Sequence, residues 1–142
     1  TYSTVSGGRC NMANNTYSTV GGGFLNIATA DNSTVGGGVD NRATANNSTV
    51  SGGYGNFACA NASVIAGGVS NITTGDFSGI LGGVANSITG TSKTFVVGSD
   101  ITADRACATF VNNLSVMSIP TSSAGLPVGS VWRSGTTLQI VI

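Results

Sequence analysis

Asn32-Ser33-Thr34-Val35-Gly36-Gly37-Gly38-Val39-Asp40-Asn41-Arg42-Ala43-Thr44-Ala45-Asn46 is followed directly by Asn47-Ser48-Thr49-Val50-Ser51-Gly52-Gly53-Tyr54-Gly55-Asn56-Phe57-Ala58-Cys59-Ala60-Asn61. The two stretches agree in the Ser-Thr-Val run, the glycine pair, the following Asn and the alanines, and so define a period of 15 residues. Working outward in both directions, Val5, Val20, Val35, Val50, Ile65 and Ile80 hold one phase. Asn11, Asn26, Asn41, Asn56, Asn71 and Asn86 hold another. A short fixed period identifies a solenoid, whose units bury apolar surface by stacking on their neighbours.

Each unit divides into two extended pieces. Ser-Thr-Val alternates and is β-branched, which suits a strand, with Ser and Val on one face and Thr on the other. The Asn-x-Ala-Thr-Ala segment, Asn26 to Ala30 for example, supplies a second strand. Glycines between them permit positive φ at a corner, and Asp/Asn-rich pairs such as Asp31-Asn32 make the other turn. Coils stacked in parallel at ~4.8 Å give a rod of roughly 30 Å from six repeats. The Asn phase is expected to bond turn backbone in every coil as a ladder. A two-strand section looks too thin to cover both faces, so the Val/Ile line is expected to face an oligomer axis shared with other copies.

The expected fold class is therefore all-β: a parallel β-roll of 15-residue coils over residues 1–103, homotrimeric, then a small C-terminal β cap over 104–142. The unit Lys93 to Ala103 departs from consensus and reads as a capping coil. In it Phe95-Val96-Val97-Gly98 stands where Val-Gly-Gly-Gly stood, and Ala103 keeps the alanine phase. Ala108 to Val116 reads as a strand leaving the roll, and Pro120 to Pro127 as a loop. Val128 to Trp132 and Thr137 to Ile142 read as strands around an Arg133-Ser134-Gly135-Thr136 turn. Trp132, Leu138 and Ile140 are the expected cap core, a more ordinary use of one Trp than stacking on a sugar.

Composition excludes several classes. Five basic residues balance five acidic ones, so nothing marks nucleic acid or an anionic membrane as a partner. No apolar run approaches the ~20 residues of a membrane helix. The 22 glycines lack a Gly-X-Y period, which rules out collagen. There is no histidine, and Cys10, Cys59 and Cys107 fall in three different phases, which argues for reduced thiols and against a zinc site. Asp31, Asp40, Asp76, Asp100 and Asp104 are scattered, and no Lys-Ser/Thr follows a glycine cluster. The expectation is a non-enzyme without cofactor or metal. The sequons at Asn14, Asn32, Asn46, Asn47, Asn61, Asn71 and Asn113 come largely from the repeat and carry no expectation of a glycan. The start at Thr1, in mid-repeat, suggests further structure upstream, and Ile142 reads as a natural terminus.

The repeats Asn32 to Gly38 and Asn47 to Gly53, with their Asn-x-Ala-Thr-Ala followers, resemble the head repeats of trimeric autotransporter adhesins. They are also similar to Gly-rich, Asn-x-Ala repeats of bacteriophage and large-virus fibre proteins. Over residues 1–103 that resemblance implies a left-handed parallel β-roll with three chains about a common axis, at a longer period than the usual adhesin head. Ile119-Pro120-Thr121-Ser122, Leu126 to Trp132 and Ser134 to Leu138 resemble the C-terminal ends of phage tail and other virion proteins rather than a membrane-anchoring barrel. The resemblance implies a trimeric virion fibre or spike at the particle surface, extracellular. Its partners would be its own copies, other virion proteins upstream, and a host surface glycan or protein. The alternative is a bacterial trimeric adhesin head. An ice-binding solenoid is more remote, because the threonine row Thr4, Thr19, Thr34 and Thr49 fails at Val64 and Gly79.

Overall fold

The computed structural model describes residues 2–115 and 118–142. It divides the chain into two units, Thr1–Asn112 and Asn113–Ile142. The first is an all-β parallel solenoid of about seven turns, without a helix among the described residues. An eight-stranded sheet takes one short strand from each coil: Thr4–Val5, Thr19–Val20, Thr34–Val35, Thr49–Val50, Val64–Ile65, Gly79–Ile80, Phe95–Val97 and Thr109–Val111. A seven-stranded sheet faces it, running from Met12–Ala13 through Ile27–Ala28, Arg42–Ala43, Phe57–Ala58, Ile72–Thr73 and Ser87–Ile88 to Thr102–Ala103. Isolated parallel bridges between Arg9, Phe24, Val39, Tyr54, Val69 and Val84 add a third line of intercoil pairing at one corner.

Register follows the 15-residue period: Val20 pairs Val35, Val35 pairs Val50, and Val50 pairs Ile65. One break occurs. Ile80 pairs with Val96, and Gly79 with Phe95, so the Gly90–Ser92 region holds one residue more than the period allows. Val96, and not Phe95, takes the inward phase; it is fully buried while Phe95 points outward. The coil then loses one residue on the way to Ala103, which pairs with Ile88 at the regular spacing. Among the described residues, Thr91 Oγ1 in this insertion is the buried side-chain polar atom without a partner.

The stack continues beyond the expected end of the roll. Thr109–Val111 pairs in parallel with Phe95–Val97, so the strand expected to leave the solenoid instead extends it, and the unit closes at Asn112. The boundary expected between residues 103 and 104 therefore lies inside the stacked unit. Val116, the expected end of that strand, lies outside the described residues.

The core needs only one chain. Val20, Val35, Val50, Ile65, Ile80 and Val96 are wholly shielded from solvent, and so are Ala28, Ala43, Ala58 and Ile88 from the opposite sheet. These residues, with Ala103, form one cluster. The expectation that this line faces other copies is corrected here: the alanine-bearing sheet of the same chain covers it. The cavity between the sheets is narrow enough for Val or Ile plus Ala to fill it. Val5, in the first coil, has a neighbour on one side only and is exposed.

The second unit holds an antiparallel hairpin, Val131–Ser134 with Thr137–Ile140. Its two-residue turn is Gly135-Thr136, with Gly135 at φ 61°, the positive-φ first position that suits glycine. Cross-strand partners share a face, and the register pairs Val131 with Ile140, Arg133 with Leu138, and Trp132 with Gln139. Trp132 thus points to the face opposite Leu138 and Ile140. The expected Trp132–Leu138–Ile140 core does not form, and Leu138 and Ile140 are 62% and 64% exposed.

Candidate functional site

The asparagine phase builds a continuous ladder. Asn56 Nδ2 donates to Gly52 O at 3.0 Å within its own corner and to Gly68 O at 2.9 Å in the next coil. Its Oδ1 accepts from the Asn71 backbone N–H and from Asn71 Nδ2, both at 3.1 Å. Asn26, Asn41 and Asn71 repeat this arrangement, Asn86 ends it with Oδ1 accepting from the Ile101 N–H at 3.1 Å, and all four are buried. Asn11 bonds Gly7 O and Gly23 O but stays partly exposed at the first coil. These side chains satisfy the same-corner carbonyls, such as Gly52 O, and add a second donor to next-coil carbonyls such as Gly68 O, which also accepts the Tyr54 backbone N–H at 3.0 Å.

The ladder fixes the need for glycine at one phase. Gly23, Gly38, Gly53 and Gly68 sit at φ between 88° and 94°. A Cβ there would overlap the next coil's glycine oxygen and stand 2.7 Å from the ladder Asn Nδ2. The corners themselves are less selective. The residue before each ladder Asn adopts φ near 55°, and it is Leu25, Asp40, Ser70 or Ala85 as readily as Gly55. Each returns a backbone bond to the previous coil, as Asp40 N–H does to Phe24 O at 2.9 Å. Asn32, Asn47, Ala62 and Phe77 do the same on the opposite side, where Tyr17 shares their positive φ.

That opposite corner carries a second, shorter ladder. The backbone N–H groups of Thr16, Asp31 and Asn61 donate to Asp31 Oδ1, Asn46 Oδ1 and Asp76 Oδ1, at 3.2, 3.3 and 2.9 Å. Two of the five carboxylates are thus engaged in holding turns. Inward Ser33, Ser48 and Ser63 spend their hydroxyls on Ala30 O, Ala45 O and Ala60 O. Plentiful serine here is turn chemistry.

The outer faces differ from each other. On the eight-stranded sheet, Thr19, Thr34 and Thr49 stand in register and the row then changes to Val64 and Gly79. Toward the C-terminal coils this face turns apolar, with Val64, Leu81, Phe95, Val97 and Val111 all exposed beside inward neighbours. Leu81 is 63% exposed. The outer row of the seven-stranded sheet is mixed, running Met12, Ile27, Arg42, Phe57, Ile72, Ser87 and Thr102. There Arg42 and Asp40 form an ion pair at 3.2 Å.

Cys10, Cys59 and Cys107 are free thiols. Cys59 is half-buried with Sγ directed at Thr73 O, and burial pushes its pKa up. Among the described residues no group of three or more His, Cys, Asp or Glu side chains converges on a point. Among the described residues no helix is long and apolar enough to cross a membrane. The chain matches no protein-family model and no curated protein.

Proposed function

We propose that this chain is a structural fibre or spike element of a virus particle, assembled as a trimer and presented at the particle surface. The observation that carries the reading is the economy of the stack. From Thr19 to Ile65 each coil follows the last with no inserted loop, and every inward phase is committed to core, ladder or turn. A chain spent this way supplies rigidity and repeated surface rather than a catalytic cleft, and we infer no enzyme activity. The tail resemblance to virion proteins supports the particle over a cell envelope.

Trimerisation uses a different face from the Val/Ile line. The exposed apolar strip of Val64, Leu81, Phe95, Val97 and Val111 is the surface we assign to the two other copies, since contiguous exposed apolar area on a flat sheet marks an interface. The seven-stranded sheet then faces outward, available to a host glycan or protein.

Antibody raised against the recombinant chain, applied to particle and cell-envelope fractions of the source material, tests the assignment. Labelling of particles is the expected result. Labelling confined to cell envelopes overturns it and favours the adhesin-head alternative.

A further inference from the structure

Gly55 is the one glycine in a row that does not require glycine. Its φ is 64°, yet Leu25, Asp40, Ser70 and Ala85 occupy the equivalent corner at φ between 51° and 58° with side chains attached. A Cβ at Gly55 would meet nothing closer than Ser70 Oγ at 3.7 Å, an ordinary contact. Neither backbone strain nor crowding explains the residue. What the missing side chain does is open a notch of about 210 Å³, lined by Asp40, Arg42, Gly55, Asn56, Phe57 and Ile72.

The notch combines three chemistries in one place. Phe57 and Ile72, successive partners in the outer row, give it an apolar wall. The Asp40–Arg42 pair gives it an acceptor and a donor 3.2 Å apart, with both side chains close to half exposed. An exposed pair of this kind contributes little to stability, so its hydrogen-bonding capacity is free to be redirected to a ligand. The charges cancel, so neither anions nor cations are favoured. The volume is below the ~300–1,000 Å³ of sites for drug-sized molecules, which limits the occupant to one ring-sized unit.

We propose that this notch is a binding subsite for a neutral pyranose sugar. Such a ring has an apolar C–H face for Phe57 and Ile72. It also has adjacent hydroxyls, one donating to the Asp40 carboxylate and one accepting from the Arg42 guanidinium. The proposal rests on the surface-attachment reading above and names the ligand class of its outward sheet. A single small notch binds weakly, and three copies on one fibre raise the effective affinity through multivalency.

The test uses immobilised glycans ending in neutral hexoses, probed with the intact chain and with three variants. Gly55→Leu fills the notch with the side chain that Leu25 already carries at the same corner. Asp40→Asn removes the charged acceptor, and Thr34→Ala on the other sheet is the control. We expect retention by the parent chain and by Thr34→Ala, and at least a ten-fold loss for Gly55→Leu and Asp40→Asn with unchanged circular dichroism. Competition by free methyl hexosides tells whether the ring alone suffices or a longer glycan is read. Retention unaffected in both notch variants overturns the subsite and leaves the attachment reading standing. No retention of any neutral glycan by the parent chain also overturns the subsite, while particle labelling still decides the fibre assignment separately. If Gly55→Leu fails to fold, the exposed Asp40→Asn variant decides alone.

Discussion

Asn41 and Asn56, 15 residues apart in sequence, are joined twice in space: the Asn56 backbone N–H and its Nδ2 both donate to Asn41 Oδ1, at 3.0 and 3.1 Å. Each asparagine therefore closes its own corner and docks the next coil. Asn56→Ala leaves the half-buried Gly52 carbonyl and the buried Asn71 N–H without their partner, at about 1–3 kcal/mol for each group left unsatisfied, while Gly68 O keeps the Tyr54 N–H. Asn56→Asp keeps the shape but sets a carboxylate against those carbonyls, so it destabilises at least as much. Urea unfolding checks both; a midpoint unchanged in either variant contradicts the ladder's role.

Neighbouring glycines give opposite outcomes. Gly53 has φ 94°, and a Cβ there strikes the next coil's backbone. Gly53→Ala should cost more than the roughly 1–3 kcal/mol of an unfavourable φ alone. Gly52→Ala meets nothing closer than Gly37 O at 3.9 Å and should stay within about 0.5 kcal/mol of the parent. Thermal melts of the two variants side by side settle the comparison.

Ile65 is completely buried within one chain. Ile65→Val should lower stability by about 0.5–1.5 kcal/mol and Ile65→Ala by about 2–5 kcal/mol. Val50→Asp places an unpaired charge in the same cluster and should unfold the coils, losing the β-sheet circular dichroism. A Val50→Asp chain that dissociates yet keeps its spectrum would place the Val/Ile line on an interface after all.

The thiols should react in a fixed order. Burial raises the Cys59 pKa, so less of it is thiolate at a given pH, while Cys10 and Cys107 are exposed. Iodoacetamide at pH 8 followed by peptide mapping should label Cys59 last. The folded chain holds the Cys59 proton more tightly than the unfolded one, so this contribution is present below the thiol's ordinary value of 9.0 and declines as pH rises above it. With no histidine in the chain, no imidazole contributes to the pH dependence of stability between pH 6 and 8.

Much of this architecture is written in the period itself. Equal spacing of Val, Asn and Gly already implies stacked coils with two strands each, because only a translational repeat brings identical residues into register. The rest was hidden for separate reasons. Ala28, Ala43 and Ala58 look too small in sequence to cover a valine line, yet small residues are what a narrow space between two sheets accommodates. The positive-φ corners carry Leu25 and Phe77, types that give no turn signal; intercoil hydrogen bonds impose the conformation there. In the tail, strand existence was legible but the facing of Trp132 depended on register, which shifts every side chain if it slips by one residue. The Gly55 notch left no periodic trace, since it is an exception within a row.

The native mass of the chain in solution, measured with and without Leu81→Asp and Val97→Asp together, tests the central claim most directly. If each chain closes its own core and copies meet on the apolar sheet face, the parent is a trimer and the double variant is a folded monomer with the same circular dichroism. A monomeric parent, or a variant that loses its fold on dissociating, would contradict it.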